Sequence, residues 1–218
     1  MILKEDEKQA LLEALQMMGD IYWGPEPQKC KRMFQRSSWL PFERLIPWLD
    51  PPSAEVFKEI KILLDTFSEA DTLYNNLEED YVRLFISDSK GIRTPLHASC
   101  YIGEETDEIT PLMGKPALDM RERFKSKGLS IAADVAEPPD HLAIELEYLY
   151  FLLERGWAEK DNSLLEEAFS FSSEVMLPWV MKLQKRLDVI ETENHFYPFI
   201  STLLCSILKL VGCLNKTP

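Results

Sequence analysis

The sequence predicts an all-α fold, a single helical-bundle domain over residues 1–218 with roughly nine to eleven helices. Two observations favour it. Apolar residues recur at spacings of three and four through most of the chain, interrupted by Gly and Pro. No alternating apolar run and no Asn-Gly turn indicates a strand. With 45% hydrophobic residues, a chain of this length can bury a sizeable core.

The first helix is predicted over residues 7–23, EKQALLEALQMMGDIYW. Its apolar stripe follows spacings of four, three and four through Leu11, Leu15, Met18 and Tyr22. Gly24 and Pro25 end this helix. A short segment through Phe34 follows, and residues 40–52, LPFERLIPWLDPP, give one or two helical turns interrupted by Pro47.

The next helix is predicted to be long, with Ser53 as its N-cap and an apolar stripe that continues to about Phe85. A break near NNLEED is the alternative. Residues 87–95, SDSKGIRTP, are a loop by composition, because they combine Ser, Asp, Gly and Pro without periodicity. A helix from about Pro116 follows, with Gly128 at the position just past its end.

A second loop is predicted over residues 129–138, followed by a helix that has Pro138 and Pro139 in its first turn and is stopped by Gly156. Helices at about 163–176 and 178–189 come next. Residues 196–214 are apolar enough to span a bilayer, but Lys209 and several hydroxyl residues lie among them. We expect a buried core helix there and no stable membrane insertion.

Charge and cysteine usage narrow the partners and the compartment. A formal net charge of -13 repels phosphate backbones, which disfavours nucleic acid, and attracts basic peptides. The four cysteines form no C-x-x-C pair, and the N-terminus carries no basic and apolar leader of its own. These features predict a cytoplasmic protein with reduced thiols.

No catalytic residue and no cofactor is predicted. Phosphate-binding, dinucleotide-binding, hydrolase and zinc-protease motifs are missing from the sequence. Cys100 lies three residues after His97, but without a family signature this pairing is weak evidence for a nucleophile.

Asp140, His141 and Glu145 leave three interpretations open. As the head of an apolar helix they form a conceivable metal or enzymatic cluster, because His141 and Glu145 project from one helix face. Alternatively, Glu137 and Asp140 complement the positive end of the helix dipole, with Asp140 as a helix cap, and Glu145 is solvated. They also suit the mouth of a peptide-binding groove. A further hypothesis is an assembly subunit that docks through its C-terminal apolar helix.

Residues Tyr81, Leu84 and Phe85 lie at the end of a predicted helix, just before a loop, so they either pack over the core or line a groove. With Pro95, Ser99 and Tyr101 they resemble the first motif of the TorD/DmsD/NarJ-like family of redox-enzyme maturation chaperones. The second motif of that family, Glu-Pro-x-Asp-His before a Glu-rich apolar helix, is matched more closely by Glu137, Pro138, Asp140, His141, Glu145 and Glu147. Ser87-Asp88 replaces the family's Gly-Pro, and Thr94-Pro95 its double proline, which affects the client more than the fold.

The resemblance implies a chaperone, not an enzyme. It would bind the twin-arginine leader or N-terminal segment of a molybdopterin-containing oxidoreductase subunit, in the cytoplasm, as a monomer or homodimer. The implied groove is lined by Tyr81, Leu84 and Phe85 and rimmed by Glu137, Asp140 and Glu145. His141 is a candidate pH sensor in this groove, because its ordinary pKa lies near 6.5.

Overall fold

The computed structural model describes residues 2–87, 92–102, 112–192 and 194–214. Within these ranges the chain is all-α, as predicted, and contains ten α-helices. They are α1 Glu5–Tyr22, α2 Pro27–Met33, α3 Leu40–Leu45, α4 Pro51–Thr66, α5 Ala70–Tyr81, α6 Lys115–Ser126, α7 Leu142–Glu159, α8 Asn162–Ser170, α9 Leu177–Asp188 and α10 Phe196–Cys213. Short 3₁₀ turns (Arg36–Trp39, Ile46–Trp48, Ala98–Tyr101) and π turns (Val82–Ile86, Phe171–Met176) connect several of them.

Helix α10 lies in the middle of the bundle, against α4, α9 and the π turn that precedes α9. Among the described helices it is the one long and apolar enough to cross a bilayer, and 72% of its 18-residue stretch is buried inside the protein. The prediction of a core helix is confirmed. The docking hypothesis fails, because the apolar side chains of α10 already face other helices of the same chain.

Helix α7 packs between α1 and α8. The predicted stop at Gly156 is wrong, because the helix continues to Glu159. Gly156 instead allows α7 and α8 to pack closely, because a Cβ at this position would lie only 2.7 Å from Leu165 Cδ2 of α8. The chain leaves the helix at Lys160, which has a positive φ of 57°.

Three other boundaries differ from prediction. Helix α4 begins at Pro51, with Asp50 as its N-cap, and the predicted N-cap Ser53 lies inside the helix. Pro suits the first helical position because the backbone N–H that it lacks would have no hydrogen-bond partner within the helix. The long predicted helix is broken at residues 67–69, where Phe67 is extended, rather than near NNLEED. Pro138 and Pro139 precede α7 instead of forming its first turn. Gly128, by contrast, follows α6 with a φ of +67°, as predicted.

Candidate peptide-binding site

The two sequence motifs meet through a short stretch of backbone pairing. His97 and His141 form an isolated antiparallel bridge. The amide of Ala98 donates to the carbonyl of Asp140 at 3.0 Å, and the amide of Leu142 donates to the carbonyl of Leu96 at 2.8 Å. The loop of the first motif is therefore attached to the N-terminal end of α7. This tie also explains why the prolines stay outside the helix.

Asp140 is fully buried and holds the turn Ala98–Tyr101 in place. Its Oδ2 accepts the amide of Ser99 at 2.7 Å and also the Ser99 hydroxyl. The same hydroxyl accepts the amide of Gly114 at 3.0 Å, which brings the start of α6 to this point. Asp140 is thus neither the expected helix cap nor a groove rim, because its carboxylate points inward to an adjacent turn.

His141 is the N-cap of α7, since its Nδ1 accepts the amide of Ala143 at 3.3 Å. Its ring stacks on the indole of Trp23, with centroids 5.1 Å apart and planes at 19°. Burial, and secondarily the nearby His97, lowers the pKa of His141 to about 3. The ring is therefore neutral across the physiological range.

Glu145 is also fully buried, which contradicts both its solvated interpretation and its place on a groove rim. Its Oε2 accepts the indole N–H of Trp179 at 3.0 Å. Burial, reinforced by the charge of Asp140, raises the pKa of Glu145 well above its ordinary range. Oε1 of Glu145 and Oδ1 of Asp140 lack hydrogen-bond partners among the described residues. The protonated form of Glu145 is favoured at this site.

The first-motif side chains are mostly structural. Leu84 and Phe85 pack in the core, so they do not line the expected open groove. Tyr81 is half-buried, its hydroxyl donates to the carbonyl of Tyr22 at 3.0 Å, and burial, followed by Glu137, raises its pKa to about 12. Pro95 accepts the Tyr101 hydroxyl at 2.8 Å. Asp88, at the departure from the family Gly-Pro, lies outside the described residues.

A different trio from the one expected comes within metal-binding range. Ligand atoms of His97, Glu137 and His141 lie within 4.8 Å of one another. However, His97 Nε2 already pairs with Glu137 Oε2 at 3.0 Å. Because Nδ1 of His141 accepts an amide N–H, the neutral ring carries its proton on Nε2. A metal at Nε2 would force the ring proton onto Nδ1, which could then no longer accept the Ala143 amide. The geometry therefore favours a helix cap beside a hydrogen bond between His97 and Glu137.

Cys100 does not form the suspected nucleophile pair with His97. Its thiol is buried, and burial, together with Asp140, raises the pKa of Cys100 to about 11. The imidazole of His97 faces Glu137 and His141 instead. At neutral pH Cys100 is a thiol, which is a poor nucleophile.

An open apolar groove lies beside the second motif, with a volume of about 490 Å³. It runs between the end of α6, the segment 129–135 and the N-terminal half of α7; we call it the α6–α7 groove. Its lining consists of Trp23, Phe124, Leu129, Ser130, Ile131, Ala132, Val135, Ile144, Glu147, Tyr148 and Phe151. The sequence offered one signal for it, the alternate apolar residues Leu129 and Ile131 in a segment otherwise composed like a loop.

A second hollow of about 270 Å³ continues from this groove between α1 and α7. The two share Trp23 and Glu147 as lining residues. The indole N–H of Trp23 donates to Glu147 Oε1 at 2.6 Å at the shared boundary. Asp20 lines the far side, where it pairs with Arg32 at 3.0 Å. One surface thus combines an apolar groove with carboxylates at one end.

Comparison with known proteins places these features in a family context. A family model described as nitrate reductase delta subunit matches residues 48–184, which contain both motifs and most of the groove. Chaperone protein TorD of Vibrio atlanticus (strain LGP32) is 35% identical over 139 residues, 62% of this chain and 61% of that protein. Chaperone protein TorD of Histophilus somni (strain 129Pt) is 27% identical over 157 residues, 72% and 74% of the two chains.

Among solved structures, the chain is similar to a putative redox enzyme maturation protein from Archaeoglobus fulgidus. The two share 18% sequence identity, with a TM-score of 0.49 and coverage of 97% of this chain and 96% of that one.

Proposed function

This chain belongs to the nitrate reductase delta subunit family, and from that premise we propose that it is a non-catalytic chaperone for a molybdopterin-containing oxidoreductase. It binds the twin-arginine leader or a related N-terminal segment of that enzyme's subunit in the cytoplasm. It holds the subunit until the cofactor has been inserted. The relatives named chaperone protein TorD support this role.

The observation that carries the proposal is the α6–α7 groove, an open apolar surface that ends at acidic side chains. A leader has a basic start and an apolar middle. Burial of about 400 Å² of its apolar surface corresponds to about 10 kcal/mol before ordering costs. Those costs are about 4 kcal/mol or more, which leaves about 6 kcal/mol or less and a dissociation constant between about 50 μM and 1 mM.

The charge distribution supports the same kind of ligand. Glu147 is exposed at the boundary of the two hollows, and the Glu137 side chain is 44% exposed beside the N-terminal end of α7. With an overall charge of -13, the protein attracts a basic peptide before contact. These carboxylates speed the encounter and orient the peptide, whereas apolar burial supplies most of the affinity.

The motif residues then act mainly by shaping the groove. Asp140 and Ser99 fix the loop of the first motif against the start of α7. His141 caps α7 and supports Trp23, which lines the groove. Tyr81, Pro95 and Tyr101 stabilise the surrounding turns through their hydrogen bonds. We propose positioning roles for them rather than direct contact with the peptide.

The proposal is tested with a fluorescently labelled synthetic peptide that carries two adjacent arginines followed by about ten apolar residues. The double variant Ile131→Ser/Val135→Ser removes apolar surface from the groove. We expect about a tenfold loss of affinity in fluorescence anisotropy, because two aliphatic contacts are lost. Helical circular dichroism should be unchanged.

The matched control is Ile62→Ser/Val189→Ser, which changes two exposed aliphatic residues that do not line the groove. Its affinity should equal that of the wild type. Equal binding by both double variants would show that the peptide binds elsewhere, and no binding by the wild-type chain at concentrations up to about 1 mM would reject the leader-binding role.

A further inference from the structure

We infer that Trp23 and Glu147 form the subsite that recognises an arginine of the leader, an inference that rests on the proposed function. The two side chains come from different helices, Trp23 from the C-terminal end of α1 and Glu147 from α7. They meet where the apolar groove passes into the hollow between α1 and α7. Trp23 lies outside residues 48–184, to which the family model aligns, so that match assigns it no role.

The geometry leaves Glu147 able to accept further donors. Its Oε1 accepts the indole N–H of Trp23 at 2.6 Å, and the residue is exposed. A carboxylate offers about four lone-pair sites on its two oxygens, so this contact uses only part of its capacity. A guanidinium with five N–H donors can pair with the remaining sites while the indole contact persists.

The indole supplies the second half of the subsite. One neighbour of the Trp23 ring is His141, stacked at 5.1 Å and nearly parallel. The ring is half-buried and lines both hollows, so part of it is available to a ligand. A planar guanidinium stacks on an aromatic ring more favourably than a lysine ammonium does. The pair therefore selects arginine over lysine.

The position of the subsite sets the direction in which the leader peptide binds. The α6–α7 groove, on one side of Glu147, has an apolar wall that includes Leu129, Ile131 and Phe151. The hollow on the other side contains Asp20, whose carboxylate is already paired with Arg32 at 3.0 Å. The apolar run of a leader lies in the groove, and its arginines lie at and beyond Glu147. A second arginine would compete with Arg32 for Asp20.

His141 acts in this subsite as a positioning residue. Its Nδ1 is fixed by the amide of Ala143, and its ring face supports the indole of Trp23. The histidine of the second motif thus controls where Trp23 lies and needs no contact with the peptide.

The experiment compares three synthetic peptides that share one apolar run and differ at the paired position, which is Arg-Arg, Lys-Lys or Gln-Gln. Their affinities are measured for the wild-type chain, Glu147→Gln and the charge-matched control Glu59→Gln, an exposed residue of α4. We expect the Arg-Arg peptide to bind about tenfold tighter than the Gln-Gln peptide to the wild type and the control. In Glu147→Gln this ratio should fall several-fold, because only the stacking on Trp23 still favours arginine.

Trp23 variants test the stacking half. Trp23→Phe keeps an aromatic ring and should retain the preference for Arg-Arg over Lys-Lys, whereas Trp23→Leu should lose it. An unchanged Arg-Arg to Gln-Gln ratio in Glu147→Gln, with all peptides still bound, would overturn the subsite and leave the chaperone proposal intact. If the wild-type chain binds none of the three peptides, the proposed function fails and the subsite fails with it.

Discussion

At the scale of single residues, the central polar residues of the second motif, Asp140, His141 and Glu145, are buried, whereas Glu137 and Glu147 are exposed. Asp140 and Glu145 are both fully buried, and each accepts a hydrogen bond from a different element, Asp140 from Ser99 and Glu145 from Trp179. Buried carboxylates are costly unless they are hydrogen-bonded or protonated. The buried ionisable groups therefore make the stability of the protein depend on pH.

Glu145→Gln should become progressively more stable than the wild type as pH rises. Because the pKa of Glu145 is raised by folding, the folded protein retains a proton that the unfolded chain releases above about 4.5. The free energy of unfolding of the wild type therefore falls with rising pH, by up to about 1.4 kcal/mol per pH unit. Glutamine does not titrate, and its amide oxygen still accepts the Trp179 N–H.

Urea unfolding between about pH 5 and pH 8 measures this difference. The exposed control Glu59→Gln should keep a constant offset from the wild type. If the offset of Glu145→Gln is equally constant, the carboxyl is not protonated in the folded protein.

His141→Asn should retain the cap of α7 and lose one source of acid sensitivity. The folded pKa of His141, about 3, lies below the unfolded value of 6.5, so the unfolded chain binds a proton that the folded protein excludes. The wild type therefore loses stability as pH falls from about 6.5 towards about 3. Asparagine is a good N-cap and does not titrate. The free energy of unfolding of His141→Asn should therefore change less than that of the wild type between about pH 6.5 and pH 3. Parallel pH dependences of the two proteins would contradict the low pKa of His141.

The neutral state of His141 also argues against the pH-sensor hypothesis. Because its pKa is about 3, the ring does not change charge between about pH 5.5 and pH 8. Peptide affinity in wild type and His141→Gln should therefore follow the same pH profile over that range, even if the two affinities differ in size. Profiles of different shape would restore the sensor role.

At the scale of helices, periodicity predicted the elements, but the ends depended on contacts that spacing does not reveal. The sequence predicts that α7 begins at Pro138 and Pro139 and stops at Gly156. Pairing of residues 96–98 with 140–142 delays its start, and packing against α8 explains the glycine. A Pro or Gly in the sequence therefore indicates a helix boundary only where no tertiary contact uses that residue for another purpose.

A pair of glycine substitutions tests this explanation. Gly156→Ala should destabilise the protein by about 1–3 kcal/mol, because the new Cβ would lie 2.7 Å from Leu165 Cδ2 and 3.3 Å from the Leu165 amide nitrogen. Gly19→Ala in α1 has no atom within 4 Å of its Cβ and should stabilise the helix by up to about 1 kcal/mol. Thermal unfolding of the two variants distinguishes them, and equal shifts would contradict the packing role.

The candidate site was predicted in part. The motif residues do come together, but the sequence does not show that Trp179 and Ser99 bury the two carboxylates. Nor does it show that Trp23, far away in the chain, reaches the motif. From the sequence alone, a carboxylate after two prolines is as compatible with an exposed position as with a buried one. Only the positions of the neighbouring helices show that Asp140 is buried.

At the scale of the whole molecule, family membership confirms the resemblance to TorD/DmsD/NarJ-like chaperones, and the chain combines a strongly acidic composition with the open apolar α6–α7 groove. With a net charge of -13, association with a basic leader should be steered electrostatically. Raising the salt from about 50 to 500 mM should lower the association rate about tenfold and change the dissociation rate little. Stopped-flow fluorescence measures both rates, and a salt effect confined to dissociation would contradict steering.

The central claim is that the apolar run of a leader lies in the α6–α7 groove. The most direct measurement is photo-crosslinking, with a benzophenone side chain in the apolar run of the Arg-Arg peptide, followed by mass spectrometry of the linked chain. Crosslinks are predicted at residues 129–135 and at groove-facing positions of α6 and α7, including Phe124 and Phe151. Crosslinks concentrated instead on α4, or on the separate hollow lined by Phe34, Leu64 and Phe67, would contradict the account.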